Sequence, residues 1–134
     1  MKTEVKNYDG EATVLEHDGS DVSVSYIERM QANIERDKKL ISDGVPALKR
    51  LMEIAEANRS GQGTYVSRFL LGLYNGPRFP FVLTSLRGLD TSILDDCLAV
   101  LEMDTKACRQ EVHDYFDNGG ERFEVMAARY EEQE

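Results

Sequence analysis

The sequence predicts a mainly α protein: a compact helical bundle of about five to six helices, with a small N-terminal β-hairpin or a loose N-terminal arm. Apolar residues recur at intervals of three and four from residue 25 onward, which is the period of amphipathic helices. Helix-ending sequences, Asn-Gly-Pro at 75–77 and Asn-Gly-Gly at 118–120, separate these stretches. We therefore expect an arm at residues 1–24 and a single helical domain at residues 25–134.

The hairpin prediction rests on residues 12–26. Ala12–Glu16 and Asp21–Tyr26 flank His17-Asp18-Gly19-Ser20, and Asp-Gly between alternating runs favours a tight turn. An isolated hairpin is marginal in water. We expect it to pack on the helices, to pair with another chain, or to stay loose.

The first predicted helix begins at Ser25, which forms a capping box with Glu28. It ends at Ser42-Asp43-Gly44. Its apolar face, expected to be buried, consists of Ile27, Met30, Ile34, Leu40 and Ile41.

The second and third helices follow in the middle of the chain. Pro46 suits the first position of the second helix, roughly residues 46–59. Ser60–Gly63 is expected to be a flexible loop, and Thr64 is expected to cap the third helix.

The last third of the chain predicts three more helices. Pro80 keeps Phe79 extended, so Phe79, Phe81 and Leu83 are expected to cross the core as a connector. Asp90 caps the fourth helix, the fifth begins at residue 104 or 105, and the sixth follows the Gly-Gly at 119–120.

Charge is distributed unevenly along the chain. The formal net charge is −9, with −3 in residues 1–42, +2 in residues 43–90 and −8 in residues 91–134. Such a surface repels nucleic-acid phosphates and attracts basic partners. We therefore expect a protein partner and no direct nucleic-acid binding, and solubility alone is the alternative explanation of the acidity.

The sequence also predicts a location. No apolar run approaches the roughly 18 residues of a membrane span, and the N-terminus lacks the apolar region of a secretory signal. A cytoplasmic protein is expected. In that compartment Cys97 and Cys108 are expected to be buried thiols on helices rather than a disulfide.

Catalytic signatures are missing from the sequence. His113 has Cys108 and the acids at 114 and 117 nearby, but this spacing is not a recurring metal site. The acids at 95 and 96 are consecutive and point in different directions on a helix. No phosphate-binding loop, dinucleotide motif or nucleophile elbow occurs. We expect a non-enzymatic protein with no cofactor and no metal.

Two groups of residues are candidate partner contacts. The first is a basic and aromatic band, because arginine and aromatic residues are enriched at interface hot spots. Its arginines are Arg59, Arg68, Arg78 and Arg87. The second is an acidic C-terminal face consisting of Asp95, Asp96, Glu102, Asp104, Glu111, Asp114 and Asp117.

Residues 47–103 carry a set of short motifs: L-x-x-L-x-x-I-A, Gly-Gln, Phe-Leu-Leu, F-x-L-T-x-L and D-x-x-I-x-D-D. The fitting residues are Leu48, Leu51, Ile54, Ala55, Gly61, Gln62, Phe69, Leu70, Leu71, Phe81, Leu83, Thr84, Leu86, Asp90, Ile93, Asp95 and Asp96. This stretch resembles a family of short domains of unknown function that is carried mainly on plasmids, integrative elements and phages. Members tend to have tryptophans after Phe-Leu-Leu, where this chain has Leu73-Tyr74. The resemblance implies a mobile-element origin and transfers no catalytic residue.

These observations favour a non-enzymatic acidic protein that binds and inhibits a host protein complex. The resemblance implies a phage or mobile-element protein directed at a nucleic-acid-handling defence machine, of the anti-CRISPR or anti-restriction type, through surface mimicry. The alternative is a structural or accessory homo-oligomer, such as a homodimer, with no inhibitory role. An enzyme is disfavoured because acid–base and metal constellations are missing.

Overall fold

A computed structural model describes residues 3–6, 12–15 and 19–131, which belong to two compact units, Met1–Arg36 and Asp37–Glu134. The described part is mainly helical, as predicted. It contains no helix long and apolar enough to cross a membrane. The division into an arm at 1–24 and a domain at 25–134 stays a prediction.

The first unit contains two short strands. Strand β1 (Thr3–Lys6) pairs antiparallel with strand β2 (Ala12–Leu15). Residues 21–26 were predicted as a strand, which is wrong, because helix α1 (Gly19–Ala57) already includes them. The predicted turn residues 17 and 18 lie outside the described residues, and the wider prediction of a hairpin or loose arm over residues 1–24 stays a prediction.

An apolar stripe of α1 lies at the surface. Every side chain from Tyr26 to Arg36 is exposed. The prediction that Ile27, Met30 and Ile34 are buried is therefore wrong, since their exposed fractions are 52, 46 and 50%. We call Tyr26, Ile27, Met30 and Ile34 the α1 stripe.

The second half of α1 organises the second unit. The predicted break at residues 42–46 is wrong, because α1 continues through Gly44 and Pro46. Gly44 is buried beneath Met103: a Cβ added there would lie 2.6 Å from Met103 Sδ and 2.7 Å from its Cβ. The glycine therefore permits close helix packing. Stop signals in the sequence were overridden by tertiary contacts, which routinely outweigh propensity.

Helix α2 (Gly61–Tyr74) begins before the predicted Thr64. Ser60 occupies the N-cap, and its Oγ accepts a hydrogen bond from the Gly63 N–H at 3.4 Å. The predicted flexible loop at 60–63 is therefore wrong, because its last three residues form the first turn of α2.

Gln62 joins the start of α2 to the start of α3 (Thr91–Glu102). The Asp90 N–H donates to Gln62 Oε1 at 2.7 Å, and Gln62 Nε2 donates to Asp90 Oδ2 at 2.9 Å. Asp90 occupies the predicted N-cap position of α3, but its carboxylate makes no capping bond to its own helix. A reciprocal side-chain contact between two helix starts takes the place of the local cap.

A connector and a 3₁₀ helix (Leu83–Gly88) lie between α2 and α3. Phe81 is half-buried and packs edge-to-face on Phe69, with ring centroids 5.7 Å apart. Gly72 allows this approach, because an added Cβ would lie 3.2 Å from Phe81 Cβ. Leu83 was predicted to cross the core, which is wrong: it begins the 3₁₀ helix and is 73% exposed.

Residues 103–118 form no long helix, so the predicted fifth helix is wrong. A π-helical turn (Met103–Ala107) ends at Cys108, whose φ of 46° is left-handed, and a 3₁₀ helix (Val112–Tyr115) follows. Cys108 is exposed while Cys97 is buried, so the prediction of two buried thiols is wrong for Cys108.

Helix α4 (Gly119–Glu131) closes the described chain and agrees with the predicted sixth helix. The core of the second unit draws on α1, α2, α3, the π-helical turn, the 3₁₀ helix at Val112–Tyr115 and α4. Its buried apolar residues are Ala47, Leu48, Leu51, Met52, Ala55, Val66, Phe69, Leu70, Leu71, Cys97, Val100, Met103, Val112, Phe123, Met126 and Ala127.

Replacing Gly44 with alanine tests the packing of Met103 on α1. Alanine favours a helix by about 1 kcal/mol over glycine, but overpacking costs about 1–3 kcal/mol. We expect Gly44→Ala to lower the free energy of unfolding by about 1–2 kcal/mol in urea denaturation. Gly61→Ala is the matched control, because no atom lies within 4 Å of its added Cβ. Equal stability of the two variants would contradict the packing.

Thiol reactivity tests the exposure of Cys108 at the end of the π-helical turn. Burial raises the pKa of the Cys97 thiol to about 12, so it is neutral and shielded at pH 8. We expect a thiol-reactive chromophore to modify Cys108 rapidly in the folded protein and Cys97 only in denaturant. Cys108→Ser should remove the rapid phase and Cys97→Ser should leave it intact. Rapid reaction of Cys97 in the folded protein would argue against the buried position.

Candidate functional site

One predicted acidic contact residue is engaged inside the protein. Asp96 on α3 accepts two hydrogen bonds from the Arg50 guanidinium on α1, Nε to Oδ2 at 3.0 Å and Nη2 to Oδ1 at 2.9 Å. The Asp96 side chain is only 18% exposed. A bidentate pair of this kind fixes two planar groups relative to each other. Asp96 is therefore a structural link between helices.

Two further acids contact basic neighbours in sequence. Glu102 accepts from Lys106 Nζ at 3.0 Å, one helical turn away. Asp114 Oδ1 lies 3.4 Å from His113 Nε2, a contact that is ionic only when the histidine is protonated. Exposed pairs of this type contribute little to stability, so these carboxylates remain open to competing cations.

The remaining acids have no ion pair among the described residues. Asp95 on α3 is exposed, as are Glu111 and Asp117. Asp104, in the π-helical turn, is half-buried, and burial together with the charge of Glu111 raises its pKa. The negative charge of Glu111, the residue that precedes the following 3₁₀ helix, thus disfavours the ionised form of Asp104. We call Asp95, Glu102, Asp104, Glu111, Asp114 and Asp117 the acidic surface.

The predicted basic band divides into arginines with and without carboxylate partners. Arg78 donates to Glu124 at 2.8 Å and also pairs with Glu131, both on α4. Arg59, Arg68 and Arg87 are exposed and make no ion pair with any described residue. Arg68 lies over the Tyr130 ring, with its Cζ 5.5 Å from the ring centroid.

Arg68 and Arg78 line one groove of about 290 Å³, which Arg59 and Arg87 do not line. The groove lies between α2, the connector, the 3₁₀ helix and α4. Its other lining residues are Leu71, Phe79, Pro80, Phe81, Val82, Ser85 and Tyr130. We call these nine residues the arginine groove.

Hydrogen bonds hold one wall of the arginine groove in place. The Asn75 N–H donates to the Leu71 carbonyl at 2.8 Å, and Asn75 Oδ1 accepts from the Arg78 N–H at 3.2 Å. Arg78 and the Tyr74 hydroxyl both donate to Glu124, and they hold the pKa of that carboxyl below its ordinary value.

Sequence reasoning missed the residues that come from α4. Glu124 and Glu131 are seven residues apart and therefore share a helix face, which was the available signal. Tyr130, also on α4, is half-buried and forms part of the groove. The long-range pairing of α4 with the connector has no local signature.

A metal centre has no candidate in the described part of the chain, where no three His, Cys, Asp or Glu side chains are grouped to hold an ion. His113 instead packs edge-to-face on Tyr74, with centroids 5.1 Å apart. Cys108, the other donor considered for this site, is exposed beyond the π-helical turn.

Comparison with known proteins gives one match. Residues 45–131 match a family described as a family of unknown function (DUF7673). The matched range contains both the acidic surface and the arginine groove, and it leaves out the α1 stripe. No curated protein and no solved structure matches the chain significantly.

Asp104→Asn tests the repulsion within the acidic surface. Because the folded state raises the pKa of Asp104, it binds this proton more tightly than the unfolded state, and stability is lost as pH rises through the ordinary carboxyl range. We expect the variant to be more stable than the wild type at pH 7 and equally stable at pH 3, by thermal denaturation.

Asp95→Asn is the control for this measurement. Asp95 is exposed and has no ion pair within the described chain, so its replacement should change stability by less than about 0.5 kcal/mol. A destabilised Asp104→Asn protein at pH 7 would contradict the repulsion.

Proposed function

We propose that this chain, which belongs to the DUF7673 family of unknown function, is a non-enzymatic module that binds a basic protein through its acidic surface. The observation that carries the proposal is that Asp104 is half-buried without an ion pair among the described residues, while burial and the charge of Glu111 raise its pKa. A lysine or arginine of a partner that pairs with Asp104 would offset both the cost of burial and the repulsion by Glu111.

The distribution of charge supports the same proposal. Residues 91–134 carry a net charge of −8, and four members of the acidic surface have no ion pair among the described residues. Unpaired carboxylates steer basic partners from a distance and contribute specificity at contact.

The proposal also specifies the class of protein that the acidic surface binds. Exposed carboxylates imitate the charge of phosphates, so the acidic surface suits the basic channel of a nucleic-acid-handling complex. We propose an inhibitor of a host defence machine of the CRISPR or restriction type, encoded by a phage or another mobile element. Support for the origin comes from the resemblance of residues 47–103 to domains carried on such elements.

The second candidate function is an accessory homo-oligomer. It is favoured by the α1 stripe, whose apolar residues at 27, 30 and 34 follow the three–four spacing of a helix-pairing seam. Two copies of such a seam are self-complementary and suit a two-fold interface.

Charge-neutralising variants test the primary proposal. The probes are purified CRISPR effector and restriction complexes from the host, tested for binding by interferometry. We expect Asp104→Asn/Glu111→Gln to weaken binding about tenfold or more, because close charge pairs couple by more than about 1.4 kcal/mol. Raising salt from about 0.1 M to about 1 M shortens the screening length from about 10 Å to about 3 Å and should weaken wild-type binding likewise.

Glu28→Gln/Glu53→Gln is the matched control, because both acids are exposed on α1 and the charge change is identical. This control should bind as the wild type does. If both double variants weaken binding equally, the effect comes from net charge and not from the proposed surface. If neither double variant nor salt changes the affinity, the proposed surface is refuted.

Sedimentation tests the second candidate. An accessory oligomer predicts a mass that rises with concentration and reverts to that of a monomer in Ile27→Ser/Ile34→Ser. Leu98→Ser/Val125→Ser removes two other exposed apolar side chains and should leave association unchanged. A wild-type monomer at all concentrations would exclude this function.

A further inference from the structure

The arginine groove carries an unpaired cation beside an apolar wall. The lining residues include two arginines and no carboxylate. Arg78 is neutralised by Glu124 and Glu131, whereas Arg68 contacts the Tyr130 ring and no acid among the described residues. The charge available to a ligand at the groove is therefore that of Arg68.

Arg68 is also held in position. Its Cζ is 5.5 Å from the Tyr130 ring centroid, within the range of cation–π contacts. The Tyr130 hydroxyl donates to the Thr64 carbonyl at 3.5 Å, which ties the ring to α2. A guanidinium that rests on a ring loses less side-chain freedom when it binds a carboxylate.

Four apolar lining residues of the groove, Phe79, Pro80, Phe81 and Val82, lie on the connector. Val82 is 66% exposed, and Phe81 is braced by Phe69 and by the close approach at Gly72. The volume of about 290 Å³ is at the lower end of ligand sites, so it suits one or two side chains rather than a cofactor.

We propose that the arginine groove docks an extended segment of a protein partner in which an apolar side chain stands next to a carboxylate. The carboxylate pairs with Arg68, and the apolar side chain packs on Phe81 and Val82. This site is distinct in charge from the acidic surface and goes beyond the proposed function. A nucleic-acid strand is a poorer fit, because one unpaired arginine on a chain of net charge −9 provides little attraction for a phosphate backbone.

The probe is a fluorescein-labelled Gly-Ser peptide with Glu-Leu-Phe-Glu at its centre, titrated with the full chain by fluorescence anisotropy. Two matched peptides carry Gln-Leu-Phe-Gln and Glu-Ser-Ser-Glu. We expect saturable binding of the first peptide and at least about tenfold weaker binding of each of the others, because the site needs both the charge and the apolar anchor.

Two pairs of variants locate the site. Arg68→Gln should weaken binding of the first peptide about tenfold or more, and Arg59→Gln, another exposed arginine outside the groove, should not. Val82→Ser should weaken binding, while Leu83→Ser should not, because both residues are exposed but only Val82 lines the groove. Far-ultraviolet circular dichroism and melting curves confirm that each variant is folded.

Any of several results would overturn the proposal. They are equal affinity for the three peptides, no saturable binding, and equal effects within either pair of variants. Self-association abolished by Arg68→Gln would assign the groove to a second copy, and preferential binding of fluorescein-labelled oligothymidine would assign it to nucleic acid. None of these measurements involves Asp104 or Glu111. A negative result at the arginine groove therefore does not count against the proposed function of the acidic surface.

Discussion

The close packing of Met103 on Gly44 is the constraint on which the second unit depends. Arg50 lies six residues after Gly44 on α1, and it binds Asp96, which lies seven residues before Met103. From the first contact to the second, the residue number rises along α1 and falls along α3, so the two helices run antiparallel. The rise from Gly44 to Arg50 is about 9 Å and that from Asp96 to Met103 is about 10.5 Å, so the two separations agree. Met103 is also where the π-helical turn begins, so this pair of contacts sets the position from which the chain turns toward Asp104 and Glu111.

Polar residues of the sequence motifs serve the architecture. Gln62 and Asp90 bond each other across two helix starts, and Asp96 bonds Arg50 across two helices. Within the described chain, these side chains therefore fix the relative positions of α1, α2 and α3. The motifs define a scaffold, and the carboxylates of the acidic surface left without a cation lie beyond α3, apart from Asp95 within it.

Local sequence signals predicted α2, α3 and α4, because each has an apolar face and a recognisable end. They failed at Gly44, which is buried against Met103, and at Pro46, which is exposed inside the continuing helix α1. They also failed after residue 103, where Cys108 adopts a left-handed conformation although it is not a glycine. The sequence predicted which charged residues could contact a partner, but it did not predict their ion pairs within the protein. Asp96 and Arg78 pair with residues that lie 46 or more positions away in the chain.

Pairing decides which charges are available to a partner. A carboxylate already bound to arginine has little to gain from a second cation, whereas an unpaired one exchanges water for an ion pair. By this criterion Asp96 and Arg78 are removed from the candidate contacts. The candidates that remain are the unpaired carboxylates of the acidic surface and the unpaired arginines, which are Asp95, Asp104, Glu111, Asp117, Arg59, Arg68 and Arg87. The surviving charges have opposite signs and come from different segments of one unit. A partner with a basic surface and an acidic, apolar tail would engage both sites, and the first contact would raise the effective concentration for the second to the millimolar range, given a short flexible tail.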